Sequence, residues 1–453
     1  MRQKAEKPLP LYHTFPDHQM SRELEKISEI LDTNPRISEL VLQDLCDNSQ
    51  PEKGASGLSA EFVLRAAIVK QLHGFSYEQL AFHLIDSQSF RSFVRHPLGW
   101  IPNKSTLQRN LSRISEATWK QINAVLVGWA AEKKLEKGER IRIDSTAVES
   151  NIHHPTDSRL LYDAVRTVSR LLRQLKERQA RVDSDGQTSG KLVFTDHTRR
   201  AKRRAYQIAN GRGAKRQQAY RDLLKVARKT YGYGMKALRA NLAVADLKTM
   251  ALLLSLEHYL KLMAKVIEQT ERRILGGESV PADEKIVSIF EEHTDIIKKG
   301  GREVVFGHKI FLTCGRSSLI LDCEVLPGNP ADAGRLKPLL QTHHKLYGRY
   351  PRQIAADRGF YSRSNLEWAR QREGLQDAAF DRKGSVKVSD MARSSWIYRQ
   401  LKRFRAGIEG CVSWLKRIFG LDRCTWKGWN HFCQYVQASV VSYNLLILAR
   451  LLL

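Results

Sequence analysis

The spacing of apolar residues changes character along the chain, and each change marks a different kind of element. Up to about residue 120 it is helical. Ser76-Tyr-Glu-Gln79 and Ser105-Thr-Leu-Gln108 have capping-box form, in which the Ser hydroxyl accepts from an amide three residues on and the Gln reaches back, so each predicts a helix start. After the second, Leu107, Leu111 and Ile114 share one face, while Arg109, Asn110 and Arg113 project from another, with Lys104 at the entry. Glu139 to Asp144 then alternates polar and apolar, the period of a strand, and closes on a carboxylate. Glu303 to Thr313 and Ser317 to Val325 read as a hairpin about Cys314-Gly315-Arg316. Gln353 to Ala356 is a short strand ending on Asp357, after which Gly359 turns the chain toward a helix opened near Ser362. Gln376 to Phe380 is a fifth strand. A hairpin first, then strands alternating with helices, predicts an α/β fold with a mixed sheet.

Between the first strand and the hairpin the pattern is nearly all helical, with Gly190, Gly211, Gly213, Gly232 and Gly234 expected to break it. The predicted division is a helical N-terminal domain over 1–125, an α/β core made of 136–154 and 285–453, and a helical insertion over 155–284. Val440 to Leu453 is the most apolar stretch, but Ser442, Asn444 and Arg450 interrupt it, so it reads as a buried terminal helix and not as a membrane span. The opening MRQKAEKPLPLYHTF has no apolar run of signal-peptide length behind it. The six cysteines lie far apart without zinc spacing, which fits reduced thiols in a cytoplasmic, nucleoid-associated protein.

Charge narrows the function. The 453 residues hold 75 Lys and Arg against 48 Asp and Glu, a formal net charge of +27. With 42% hydrophobic residues this is a folded basic protein, and a polymer of phosphates is the partner that best repays such a charge by counterion release. Residues 191–240 carry 15 Lys and Arg against two Asp. Arg203, Arg204, Lys215 and Arg216 are candidates there for contact with DNA. The predicted helix after Ser105 is built either as a DNA-reading helix, through Lys104, Arg109, Asn110 and Arg113, or as part of a bundle whose outer face is basic.

Candidate chemistry lies elsewhere. On a helix over Leu401 to Gly420, Glu409 and Lys416 fall about 40° and about 20° from Arg405, so all three share a strip beside an apolar one formed by Ile408, Val412, Leu415 and Phe419. By itself that strip reads as an ordinary surface ion pair. Asp144 and Asp357, however, each close an apolar strand, and ligand sites in α/β sheets form at such ends. Two such Asp beside a Glu would make an all-oxygen cage for Mg²⁺ or Mn²⁺. His153-His154 with Asp157 lacks a second ligand pair. His308 and Lys309 either line a cleft or face solvent. Trp414, Trp426 and Trp429 either pack the core or stack on an extruded base.

Asp144 in IRIDST, Asp357 in IAADRGFYS, and Glu409 spaced between Arg405 and Lys416 resemble the Asp-Asp-Glu triad of the DDE transposases of bacterial insertion sequences. That family's signature reads Tyr, two residues, Arg, three residues, Glu, six residues, Lys; here Lys402 stands at the Tyr position. RIDSTAVESNIHHPTDSRLLYDAVR, SIFEEHTDIIKKGGREVVFGHKIFL and LILDCEVLPGNPADAG also resemble segments of one such group, and the resemblance extends over roughly residues 50 to 450.

The resemblance implies an RNase H-like core and in-line displacement at phosphorus by two Mg²⁺ or Mn²⁺ ions, roughly 3.5 to 4 Å apart in such sites. Asp144 would bridge the ions, Asp357 and Glu409 would each complete one site, and Arg405 and Lys416 would hold DNA phosphates. The partners implied are the element's ends and target DNA, in a homodimer or larger assembly. Two alternatives use the same residues: a nuclease that cuts without rejoining, and a non-catalytic DNA-binding regulator.

Overall fold

The computed structural model describes residues 17–46, 57–95, 102–183, 192–240, 246–298, 303–381 and 386–453. The chain's opening segment and Gly190 lie outside them. The chain divides into two units, one of residues 1–151 and 299–453, the other of 152–298.

The first unit begins with seven helices: α1 (Gln19–Asp32), α2 (Arg36–Cys46), α3 (Ala60–His73), α4 (Tyr77–Asp86), α5 (Gln88–Val94), α6 (Lys104–Leu111) and α7 (Glu116–Glu132). The box at Ser76 forms as predicted, with Gln79 N donating to Ser76 Oγ and Ser76 N to Gln79 Oε1. The second does not. Asn103 caps α6 by accepting from Thr106 N, and Ser105 lies inside the first turn, because an Asx acceptor two residues earlier takes the orphan amide first. Leu107, Leu111 and Ile114 are buried as expected.

Five strands of this unit make a mixed sheet: β1 (Arg140–Glu149), β2 (Val304–Cys314), β3 (Ile320–Val325), β4 (Gln353–Ala356) and β5 (Asp377–Phe380), in the spatial order β3, β2, β1, β4, β5. β1 is antiparallel to β2 and parallel to β4, which is parallel to β5. The parallel strands β4 and β5 are buried along their whole length, as strands covered on both faces must be. Helices α12 (Leu336–Tyr347), α13 (Arg363–Arg370), α14 (Ser395–Arg417) and α15 (Trp429–Leu452) complete the unit. Among the described residues α15 is the one helix long and apolar enough to cross a membrane, and most of it is buried inside the protein, packed on α1, α3, α7 and β3.

The second unit is helical: α8 (Asp157–Asp183), α9 (Thr198–Asn210), α10 (Gly213–Ala240) and α11 (Leu247–Thr270), around its own apolar core, and it ends in a short strand, Asp295–Lys298, that the sequence pattern did not disclose. Gly211 and Gly213 separate α9 from α10 as predicted. Gly232 and Gly234 do not break α10: a Cβ on Gly234 would meet Leu260 Cδ2 at 2.7 Å, so that glycine serves close packing of α10 on α11. All six cysteines are free thiols.

Candidate active site

The sheet register brings the two aspartates together. Ile143 on β1 pairs with Ala356 on β4, and the next residues are Asp144 and Asp357. The sequence reading placed Asp144 at the end of its strand. It lies in the middle: β1 runs on to Glu149 against β2, and what ends beside Asp144 is the partner β4. On the alternating face that carries Asp144, two residues back, stands Arg142. Its guanidinium donates to Phe404 O of α14 at 3.1 Å and to Ser318 Oγ at 2.9 Å. At Gly407 the helix lies so close that a Cβ would stand 2.2 Å from Arg142 Nη1. Arg142 and Gly407 thus fix α14 on the sheet two residues before Asp144 and two before Glu409.

Arg405 is where the acids meet. Its Nη1 is 3.9 Å from Asp144 and 3.7 Å from Asp357, its Nη2 is 3.5 Å from Glu409, and its Nε is 3.9 Å from Asp381. Lys402, at the signature's Tyr position, pairs with Asp381 at 3.1 Å. Lys416 lies 3.7 Å from Asp422. Asp144, Glu409, Lys416 and Asp422 line one groove of about 550 Å³; Asp357 does not line it. The Asp144 carboxyl is pushed up to about 6 by burial, with nearby Asp357 and Asp332 adding to the rise; the Ser145 amide and Arg405 oppose it.

Among the described residues no three His, Cys, Asp or Glu side chains are gathered tightly enough to hold an ion as they stand. The donor set nevertheless suits a hard divalent cation. It consists of carboxylates, one of them largely desolvated, and they already surround a positive group. The Glu409 side chain is 69% exposed, so solvent and ligands can reach its carboxylate.

Besides Asp422, two more acidic residues stand near the triad without a place in the sequence motif. Asp381 follows β5 as Asp357 follows β4, a signal that was available. Asp332 accepts from Ser145 Oγ at 3.2 Å and from Lys309 Nζ at 3.1 Å, and a Cβ on Gly359 would meet its Oδ2 at 2.4 Å. It therefore ties β1 and β2 to the turn after Asp357. Lys309 thus holds Asp332 and does not line the groove of Asp144, whereas His308 is buried with its ring centroid 4.7 Å from Trp429 and 4.8 Å from Phe432, not solvent-facing.

The other candidates are scattered. Lys104 is exposed and pairs with Glu78 at 3.3 Å; Arg109 is exposed, and Arg113 lies just beyond the end of α6. Asn110 is buried and donates to Thr106 O at 2.7 Å, so it does not project as expected. Arg203, Lys215 and Arg216 are exposed, but Arg204 is engaged by Asp222 and Gln207. His153 and His154 are exposed. Trp414 lies under Arg450 and beside Tyr443, and Trp429 stacks on Phe432.

Comparison with known families gives two matches: a transposase DDE domain over residues 278–445, and a transposase domain (DUF772) over residues 11–113. No curated protein and no solved structure matches the chain. The DDE domain implies an RNase H-like core, in agreement with the mixed sheet and its central Asp144. From the gathered acids and both matches, which together span more than half its length, the chain belongs to the DDE transposases of insertion sequences.

Proposed function

We propose that the protein binds the ends of its mobile element and catalyses strand cleavage and strand transfer, with Asp144, Asp357 and Glu409 as the catalytic carboxylates. The observation that carries this reading is the convergence of those three acids, remote in sequence, on the single guanidinium of Arg405.

Asp144, Asp357 and Glu409 would hold Mg²⁺ or Mn²⁺. The ions, when bound, activate the attacking oxygen and stabilise the leaving one. The chain's own residues bind and orient. Arg405, once Asp144, Asp357 and Glu409 turn to the ions, and Lys416, in the groove, would supply charge for the phosphate that is cut. Burial of Asp144 makes its carboxylate costly without a cation, which favours the loaded site. Arg203, Lys215 and Arg216 of the second unit, and Lys104, Arg109 and Arg113 near α6, would hold flanking DNA. Joining two ends calls for a homodimer or larger assembly on DNA. In domain terms the helices of 1–125 would bind DNA, and 155–284 would form a basic insertion in the core.

The test uses purified protein, a duplex carrying the element's end, and a target plasmid. Cleavage followed by joining of pre-cut ends supports the transposase. Cleavage without joining points to the nuclease. End binding that is indifferent to changes at all three acids, with no cutting, points to the regulator.

A further inference from the structure

Helix α3 is buried almost throughout, and it carries two cationic side chains that the fold treats differently. Arg65, 1% exposed, is fully satisfied: Asp32 lies at 2.8 Å, Glu61 at 2.9 Å and Ser28 Oγ at 2.6 Å. Lys70, 5% exposed, has no hydrogen-bond acceptor and no carboxylate partner among the described residues. Its ammonium lies over two rings, 4.9 Å from the Tyr77 centroid and 5.4 Å from that of Trp426. Burial lowers its pKa to about 8, with the nearby Cys424 thiol opposing the fall.

The Trp426 indole N–H is a second orphan, buried with no acceptor. Lys70 and Trp426 line the same cavity of about 570 Å³, with Gln71, Phe75, Tyr77 and Arg423. Gly420 shapes its wall: the residue has φ +72°, and a Cβ there would strike the Tyr435 hydroxyl, which donates to Gly420 O. Asp422 lines both this cavity and the groove that holds Asp144 and Glu409. A buried ammonium is costly, and ring faces offset only part of that cost. Two unmet donors in an aromatic chamber that adjoins the carboxylate groove match one chemical group, the phosphate of a nucleic acid strand.

We propose that this cavity is a phosphate subsite for the DNA strand, in which the Lys70 ammonium and the Trp426 N–H donate to one phosphate while the aromatic walls cover the adjoining nucleoside. The inference rests on the transposase reading for its ligand and on none of the three catalytic acids.

The experiment measures binding and thermal melting of the full-length protein, in metal-free buffer, with oligothymidylate carrying or lacking a 5′ phosphate and with inorganic phosphate alone. K70M keeps the side chain's bulk without its charge, and W426F keeps a ring without the N–H. The expected result is that strand affinity falls at least tenfold in K70M and severalfold in W426F, with K70M melting no lower than wild type. A preference for the phosphorylated strand assigns a terminal phosphate; equal binding of both strands assigns an internal diester; both outcomes support the subsite. Unchanged affinity in both variants overturns it. If K70M melts far below wild type, the lysine serves the last turn of α3 and W426F alone decides. Wild-type protein that binds no DNA at all would instead sink the transposase reading.

Discussion

Ile143 of β1 stands in parallel register with Ala356 of β4, so the aspartates that follow lie at one level, Asp144 within β1 and Asp357 just past the end of β4. A slip of one residue would turn Asp144 to the opposite face of the sheet. Single changes D144N, D357N and E409Q are expected to lower strand cleavage by about 10³-fold or more, a loss of the size seen when a transition-state contact is removed. End binding should stay within a few fold of wild type in a gel-shift titration.

Arg142 and Gly407 predict a different kind of defect. In G407A the new methyl would collide with Arg142 Nη1, forcing α14, and Glu409 with it, off the sheet. Overpacking of this kind costs about 1 to 3 kcal/mol. G410A, on the same helix with nothing within 4 Å of its added carbon, is the control and should be neutral or stabilising. Denaturant melts and cleavage rates of the pair should diverge.

Asp332 and Gly359 form a second such contact, this time under the turn that carries Asp357. G359A should displace the Asp332 carboxylate, weaken its bonds to Ser145 and Lys309, and slow cleavage more than it weakens DNA binding. D332A should also slow cleavage. Because both changes act through one contact, the double variant should be less impaired than the sum of the two, as a double-mutant cycle would measure.

His343 sets an acid limit to stability. It is buried, with its Nε2 2.9 Å from Gly138 O, and desolvation lowers its pKa to about 4. The unfolded chain takes up a proton near pH 6.5 while the folded one still refuses it. Stability is therefore full above that pH and is lost as the pH falls toward 4, by up to roughly 3 kcal/mol. H343Q should flatten this limb in urea melts, and an unchanged slope would contradict the assignment.

Salt dependence separates the candidate DNA-binding cations of the second unit. Removing one cation that neutralises a duplex phosphate should reduce the slope of log affinity against log salt by about 0.9. R203A, K215A and R216A should each show such a reduction if they touch DNA. R204A should show less, since Asp222 and Gln207 already engage that side chain.

Much of the site could be read from the sequence because its signals are local. Asp357 follows an apolar strand, and the spacing of Arg405, Glu409 and Lys416 puts them on one strip of α14. Asp381, just past β5, obeys the same strand-end rule. Asp332, and the approach of Arg142 to Gly407, were beyond the reach of spacing, since each depends on two segments over 25 residues apart meeting in space. Propensity also misled where tertiary packing overrode it: Asn110 turned back onto its own helix, His308 went into an aromatic core, and Gly234 became a contact with Leu260 instead of a helix break.

The place where the helical insertion enters has a consequence of its own. Glu149 at the end of β1 is matched in register to Gly307 near the start of β2, and Ser150 N donates to Phe306 O, so the chain leaves and rejoins the sheet at adjoining points. To the sheet, the helices α8 to α11 between those points are an elaborated loop. Its length can grow, shrink or be exchanged without re-threading a single strand, which makes it the natural place for related enzymes to diverge in how they grip their substrate.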